Sequence, residues 1–179
     1  MHSFRKKEIL THPLVMGTVI LTLTGFLSRF IGFFYRIFLS RVFGAEGMGI
    51  YQLIAPVLAL SFALTVSGIQ TAISKYVARE EKTGNSCASL RYLFTGFLAA
   101  MLLSILCAIF IYRYSEEIAI GFLKEERTAP LLRIISLSIP MAAVHSCING
   151  YFYGIKKTSI PSACQLIEQV IRVGSVYLI

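Results

Sequence analysis

Aspartate is absent from this sequence, and all nine of its acidic side chains are glutamates. That absence removes Asp-based metal sites and Asp-based sugar-nucleotide motifs. The four cysteines, Cys87, Cys107, Cys147 and Cys164, show no Cys-x-x-Cys spacing and no disulfide framework. Three of them fall in apolar runs, where a thiol is most simply a small packing residue. His145 has no second histidine at a metal-binding spacing, so neither a metal nor a cofactor is expected. Nucleophile elbow, P-loop and zinc-protease motifs are missing as well, and nothing sets a base beside a nucleophile. The chain is therefore not expected to be an enzyme. It also shows no convincing internal repeat.

Apolar sequence is what the chain has in excess. Hydrophobic residues make up 56% of its 179 residues and the mean hydropathy is +0.72. A soluble domain of this size needs more polar surface than that composition offers. The class is a polytopic membrane protein. The formal charge of +8 would suggest nucleic acid in a soluble chain. Here the basic residues lie in short stretches between apolar runs, with no basic module carrying interleaved aromatics, so nucleic acid is not an expected partner.

A spanning helix needs about 20 mainly apolar residues. Five segments qualify, at about 14–40, 50–74, 92–112, 131–154 and 161–179, which predicts an all-α transmembrane bundle of about five helices. The basic start, Met1 to Lys7, superficially resembles a signal peptide. The apolar stretch after it is too long, contains Arg29 and lacks a small-x-small site, so it reads as a retained first helix. Gly44-Ala45-Glu46-Gly47-Met48-Gly49 reads as a tight turn between the first two spans, not a phosphate-cradling loop, because no strand precedes it. Pro13, Pro130 and Pro161 sit at segment starts, while Pro56 and Pro140 lie inside and are candidate kinks. Nine basic residues (Arg5, Lys6, Lys7, Lys75, Arg79, Lys82, Arg91, Lys156, Lys157) fall on the N-terminal side. Five (Arg41, Arg113, Lys124, Arg127, Arg133) fall on the other side, among Glu116, Glu117, Glu125 and Glu126. The positive-inside rule then puts the N-terminus in the cytoplasm of a cell-membrane protein. A fifth apolar run with no loop after it reads as the partial N-terminal lobe, residues 1–179, of a larger transporter.

Charged residues inside spans are costly and normally face a cavity or a partner. Arg29 and Arg36 are seven residues apart, so they share a helix face roughly 10 Å apart along the axis. Gly32 between them lets another group approach. Arginine forks onto phosphate oxygens better than any other side chain, so a cationic strip lining a polar cavity is one reading. The alternative is an Arg36 that snorkels to the interface and an Arg29 that caps a neighbouring helix. On the fifth segment, Gln165, Glu168, Gln169 and Arg172 share one face at spacings of three and four. Glu168 and Arg172 can pair as a structural lock, or line the same cavity and gate it. His145 near Asn149 reads as a hydrogen-bonding core residue. Gln52, Gln70 and Asn149 are weaker polar candidates, and the aromatics of Gly150-Tyr151-Phe152-Tyr153-Gly154 read as an interfacial belt.

Several stretches carry a family resemblance in order along the chain. They are Ser28 to Arg36, Phe43 to Leu53, Gly68 to Ala78, Gly150 to Gly154, and Pro161 followed by Gln165 to Val173. Each is loose; their succession resembles the multidrug/oligosaccharidyl-lipid/polysaccharide exporter superfamily, in its branch of stage V sporulation protein B-like and lipid II flippase-like membrane proteins. The resemblance implies helical lobes around a central cavity and alternating access. It implies an undecaprenyl-diphosphate-linked cell-wall precursor as substrate, in a membrane setting that includes spore-cortex peptidoglycan. It also implies that Arg29, and secondarily Arg36, contact the diphosphate, with Gly32, Gln165, Glu168, Gln169 and Arg172 shaping the cavity or its gate. Two departures stand out. The related flippases carry their second arginine one residue earlier than Arg36, and their second-helix arginine has no counterpart at Ala55-Pro56-Val57-Leu58. A cation-coupled multidrug exporter of the same fold, or a non-transporting scaffold for wall synthesis, are the competing readings; the former calls for cavity acids, and only Glu168 qualifies.

Overall fold

The computed structural model describes residues 13–84 and 86–177, and side-chain surroundings for 17–84 and 87–176. Among these the secondary structure is helical. In order come α1 (Pro13–Phe62), a π-helical segment (Ala63–Ser67), α2 (Gly68–Lys82), α3 (Ser86–Arg113) and the short α4 (Ser115–Glu117). A second π-helical segment (Ile118–Leu123), α5 (Thr128–Ser136), α6 (Ser138–Gly154) and α7 (Ser159–Tyr177) follow.

The first two expected spans run on as one helical stretch, Gly17–Lys82, of 66 residues. At about 1.5 Å per residue that is roughly 100 Å, against a hydrocarbon core of about 30 Å, so it cannot be one crossing. Gly44, at φ 70° and ψ 179°, is where the helix breaks. That backbone region is essentially reserved for glycine. The expected six-residue turn is thus corrected to a single residue: Ala45 to Gly49 are already helical. Pro56 sits inside α1 without breaking it, and the π-helical segment follows about two turns later.

A second run, Cys87–Arg113, is also long and apolar enough to span, and α5 with α6 makes a third as a pair bent by 41°. The bend has a local cause. Pro140 lacks an N–H for the Ser136 carbonyl and crowds it. Ser136 Oγ and Ser138 Oγ donate to the carbonyls of Arg133 (2.7 Å) and Ile135 (2.6 Å), which loosens the same turn. The stretch expected as a loop between the third and fourth segments is itself largely helical, closing on left-handed Lys124. The expected fifth span coincides with α7, which carries Gln165, Glu168, Gln169 and Arg172. Those four leave it too polar to rank with the other spans.

The chain divides into two compact units, Met1–Arg41 with Lys156–Ile179, and Val42–Ile155. In the second unit α2, α3 and α6 pack around Ile73, Val77, Ala100, Ala143 and Cys147. A neighbouring cluster joins Ile54 to Ala108, Ile111, Ala119, Ala129, Leu132 and Ile139. Two glycines set how closely α6 approaches α2. A Cβ on Gly150 would lie 2.9 Å from the Gln70 carbonyl, and one on Gly154 would lie 2.7 Å from Val77 Cβ. Small residues four apart are the usual means of bringing membrane helices together. At one end of this unit, Arg133 Nε donates to Ser115 Oγ (2.8 Å) and Nη2 to Glu116 (2.6 Å), and Arg127 pairs with Glu46.

Candidate functional site

In the first unit, each residue of α1 turns by about 100°, so four strips can be assigned around its axis. Thr24, Ser28 and Leu39 are buried and mark the packed seam. Phe26, Phe30, Phe33 and Phe34 are exposed on the far side, with Phe30 and Phe34 rings edge-to-face at 5.0 Å. Arg29 and Arg36 are both exposed and lie on one flank, about 90° from the Ser28 direction.

That flank is polar along the whole span. Thr18, Thr22, Arg29, Arg36 and Ser40 follow one another along it, with Gly25 and Gly32 bordering it toward the seam. Thr22 Oγ1 donates to the Thr18 carbonyl (2.9 Å) and Ser40 Oγ to that of Ile37 (2.8 Å). A Cβ on either Gly25 or Gly32 would meet nothing within 4 Å, so the space beside the arginines is open. In the sequence Thr18, Thr22 and Ser40 look neutral one at a time, because a hydroxyl can bond its own helix. Their spacings from the arginines, eleven and seven residues before Arg29 and four after Arg36, were the available signal.

The opposite flank of α1 is different. Phe30, Ile31, Phe34, Tyr35 and Phe38 form, with Val173 and Val176 of α7, an apolar cleft of about 260 Å³. None of Arg29, Arg36, Gln165, Glu168, Gln169 and Arg172 lines it. On α7, Ser162 is buried, and Leu166, Gln169, Val173 and Val176 are half-buried along one stripe. Gln169 therefore belongs to the packed seam, while the exposed Gln165, Glu168 and Arg172 sit on its flank. At about 100° per residue the four still share one arc, with Gln169 at its packed edge. Gln169 Oε1 and Ser28 Oγ are both buried without a hydrogen-bond partner, two unsatisfied oxygens in one unit.

In the second unit, Asn149 Nδ2 and His145 Nε2 are 3.1 Å apart, and Ser146 Oγ donates to Gln70 Oε1 (2.7 Å). An open cleft of about 570 Å³ runs along α2, lined by Ser67, Gln70, Thr71, Ser74, Lys75 and Ala78, with Tyr153 of α6. No group of three or more metal-ligating side chains comes together among the described residues.

Long apolar helices, one of them with arginines and hydroxyls along a flank, define a multi-pass membrane protein. The family profile described as "Polysaccharide biosynthesis protein" matches residues 14–179, and the chain belongs to that family. It is 31% identical over 160 residues to the Stage V sporulation protein B of Bacillus subtilis (strain 168), covering 89% of this chain and 31% of that protein. It is 27% identical over 173 residues to the Lipid II flippase MurJ of the same organism, covering 92% and 32%. A third relative there, Sporulation protein YkvU, is 25% identical over 171 residues, covering 92% and 35%. The chain thus spans about a third of the length of these relatives. No solved structure matches it significantly.

Proposed function

We propose that this chain is the N-terminal part of a flippase that moves an undecaprenyl-diphosphate-linked cell-wall precursor across the cell membrane by alternating access. Its N-terminus would lie in the cytoplasm and its setting would be spore-cortex peptidoglycan, two relatives being named as sporulation proteins. The observation that carries the reading is the polar flank of α1. A guanidinium in hydrocarbon costs a few kcal/mol, and a strip of hydroxyls and open glycines beside two of them suits a polar occupant. A diphosphate supplies the charge and the paired oxygens that desolvated arginines bind best. Arg29 is the principal contact. Arg36, nearer the Gly44 break, is the secondary one. Glu168 and Arg172 shape or gate the cavity, with Gln165 beside them.

The experiment is an accessibility assay for lipid-linked precursor in cells depleted of the full-length protein and lacking redundant flippases. Outward exposure should fall on depletion, return with the wild-type gene, and fail to return with Arg29→Ala at normal membrane levels. Unchanged exposure on depletion overturns the flippase reading. Rescue by Arg29→Ala shifts the case to a non-transporting scaffold. An outcome dependent on Glu168 and on a cation gradient, with unrelated hydrophobic cations exported, favours the drug-exporter alternative.

A further inference from the structure

The open cleft on α2 lies outside the arginine strip and has no part in diphosphate binding as proposed above. Its lining is unusual for a helix that continues an apolar span. Ser67, Gln70, Thr71, Ser74, Lys75 and Ala78 recur at spacings of three and four, so the cleft follows one helix face for about three turns. Hydroxyl and amide groups on this face need water or a ligand to bond.

The hydrogen-bonding capacity of the lining is mixed. Thr71 Oγ1 donates to the Ser67 carbonyl at 3.0 Å, which leaves the oxygen free to accept. Gln70 Oε1 already accepts from Ser146 Oγ, which leaves its two amide N–H groups to donate. Ser74 can do either, and the exposed Lys75 supplies one cation. No acidic side chain lines the space, so a cation is a poor fit. One lysine among neutral groups is also a poor match for a diphosphate, which gathers several cations. Tyr153 adds an aromatic ring, a flat surface suited to the C–H face of a sugar. The cleft volume of about 570 Å³ falls within the range of small-ligand sites, large enough for one or two sugar rings. Ser67 at its mouth is also the last residue of a π-helical segment, a local distortion that recurs at functional sites.

We propose that this cleft is the subsite for the glycan of the transported lipid, with Gln70, Thr71 and Ser74 bonding its hydroxyls and Lys75 meeting a carboxylate carried on the sugar. The inference rests on the flippase reading and adds a second contact region to it. With the N-terminus in the cytoplasm, this end of α2 faces the cytoplasm, where a precursor would first be engaged.

The test uses the full-length protein in nanodiscs and two probes, undecaprenyl diphosphate and the same lipid bearing a carboxylated disaccharide. The wild type should bind the glycosylated lipid more tightly than the bare one. Thr71→Val with Ser74→Ala should weaken binding of the glycosylated lipid by about tenfold, the loss of one to two hydrogen bonds. Binding of the bare lipid should stay within about twofold, which also reports that the variant is folded. Lys75→Gln, an exposed substitution, should weaken the carboxylated glycan and leave an uncharged one unaffected. Equal losses for both lipids, or none for either, overturn the glycan subsite and leave the diphosphate reading standing. If the wild type binds neither lipid, the subsite and the flippase reading fall together.

Discussion

Replacing Gly154 by alanine tests the close approach of α6 to α2. The new Cβ would stand 2.7 Å from Val77 Cβ and Cγ1 and 3.0 Å from the Ser74 carbonyl. Carbon atoms normally meet at about 3.5–4.0 Å, so the helices must part by up to about an ångström. Val77 is fully buried and branched at Cβ, and it cannot swing aside. Overpacking of this kind costs about 1–3 kcal/mol. Alanine in a helix recovers about 0.5–1 kcal/mol relative to glycine, which leaves a net loss of about 1–2 kcal/mol. Gly150→Ala, blocked by the Gln70 carbonyl at 2.9 Å, should behave alike. The two changes force the same separation, so the double variant should cost much less than their sum. Gly68→Ala, where a Cβ meets nothing within 4 Å, is the control and should be neutral or stabilising. Cys147 reports the outcome, because it is 2% exposed in the cluster with Ile73 and Val77. Its alkylation, followed by mass spectrometry on the intact protein in detergent, should quicken by about 5–30-fold in either single variant, a tenfold change being about 1.4 kcal/mol. Protection of Cys147 within twofold of wild type in Gly154→Ala, with a loss in Gly68→Ala, would refute the packing argument.

Three further outcomes are expected. Gly44→Ala forces a side chain into φ 70°, ψ 179° and should destabilise by about 1–3 kcal/mol even though the surrounding space is open; denaturant unfolding beside Gly25→Ala isolates the backbone effect. Arg133→Gln strands the fully buried Ser115 hydroxyl and should cost about 1 kcal/mol, whereas Glu46→Gln removes an exposed ion pair and should stay within about 0.5 kcal/mol by the same measurement. Ser28→Ala deletes a buried hydroxyl that bonds nothing, so its melting temperature should match or exceed wild type, and a clear fall would show that Ser28 has a partner in the membrane-embedded protein.

The all-α membrane class was legible because long apolar runs leave few other solutions in a bilayer. The break between the first two spans was legible as glycine, but its extent was not. Three glycines within six residues read as a turn, yet the helix is interrupted at only one of them, Gly44. The Gly150–Gly154 pair was on view too, with four-residue spacing. The aromatics between these glycines drew the reading toward the membrane interface, while the tighter constraint was the backbone of α2 lying against them.

The polar surfaces were harder to read for a reason that lies in helix chemistry. An arginine in an apolar run is conspicuous because its desolvation cost has no local remedy. A threonine or serine hides its cost by donating to a carbonyl three or four residues back, as Thr22, Ser40, Thr65 and Thr71 all do. Such residues look neutral one at a time, and only their alignment shows a face. Thr18, Thr22 and Ser40 turn the two arginines into a strip running the length of a span, and Ser67, Thr71 and Ser74 turn the single Gln70 into a cleft. A donated hydroxyl still keeps its oxygen lone pairs. Both faces can therefore be stable in the helix by themselves and still present acceptors to a ligand.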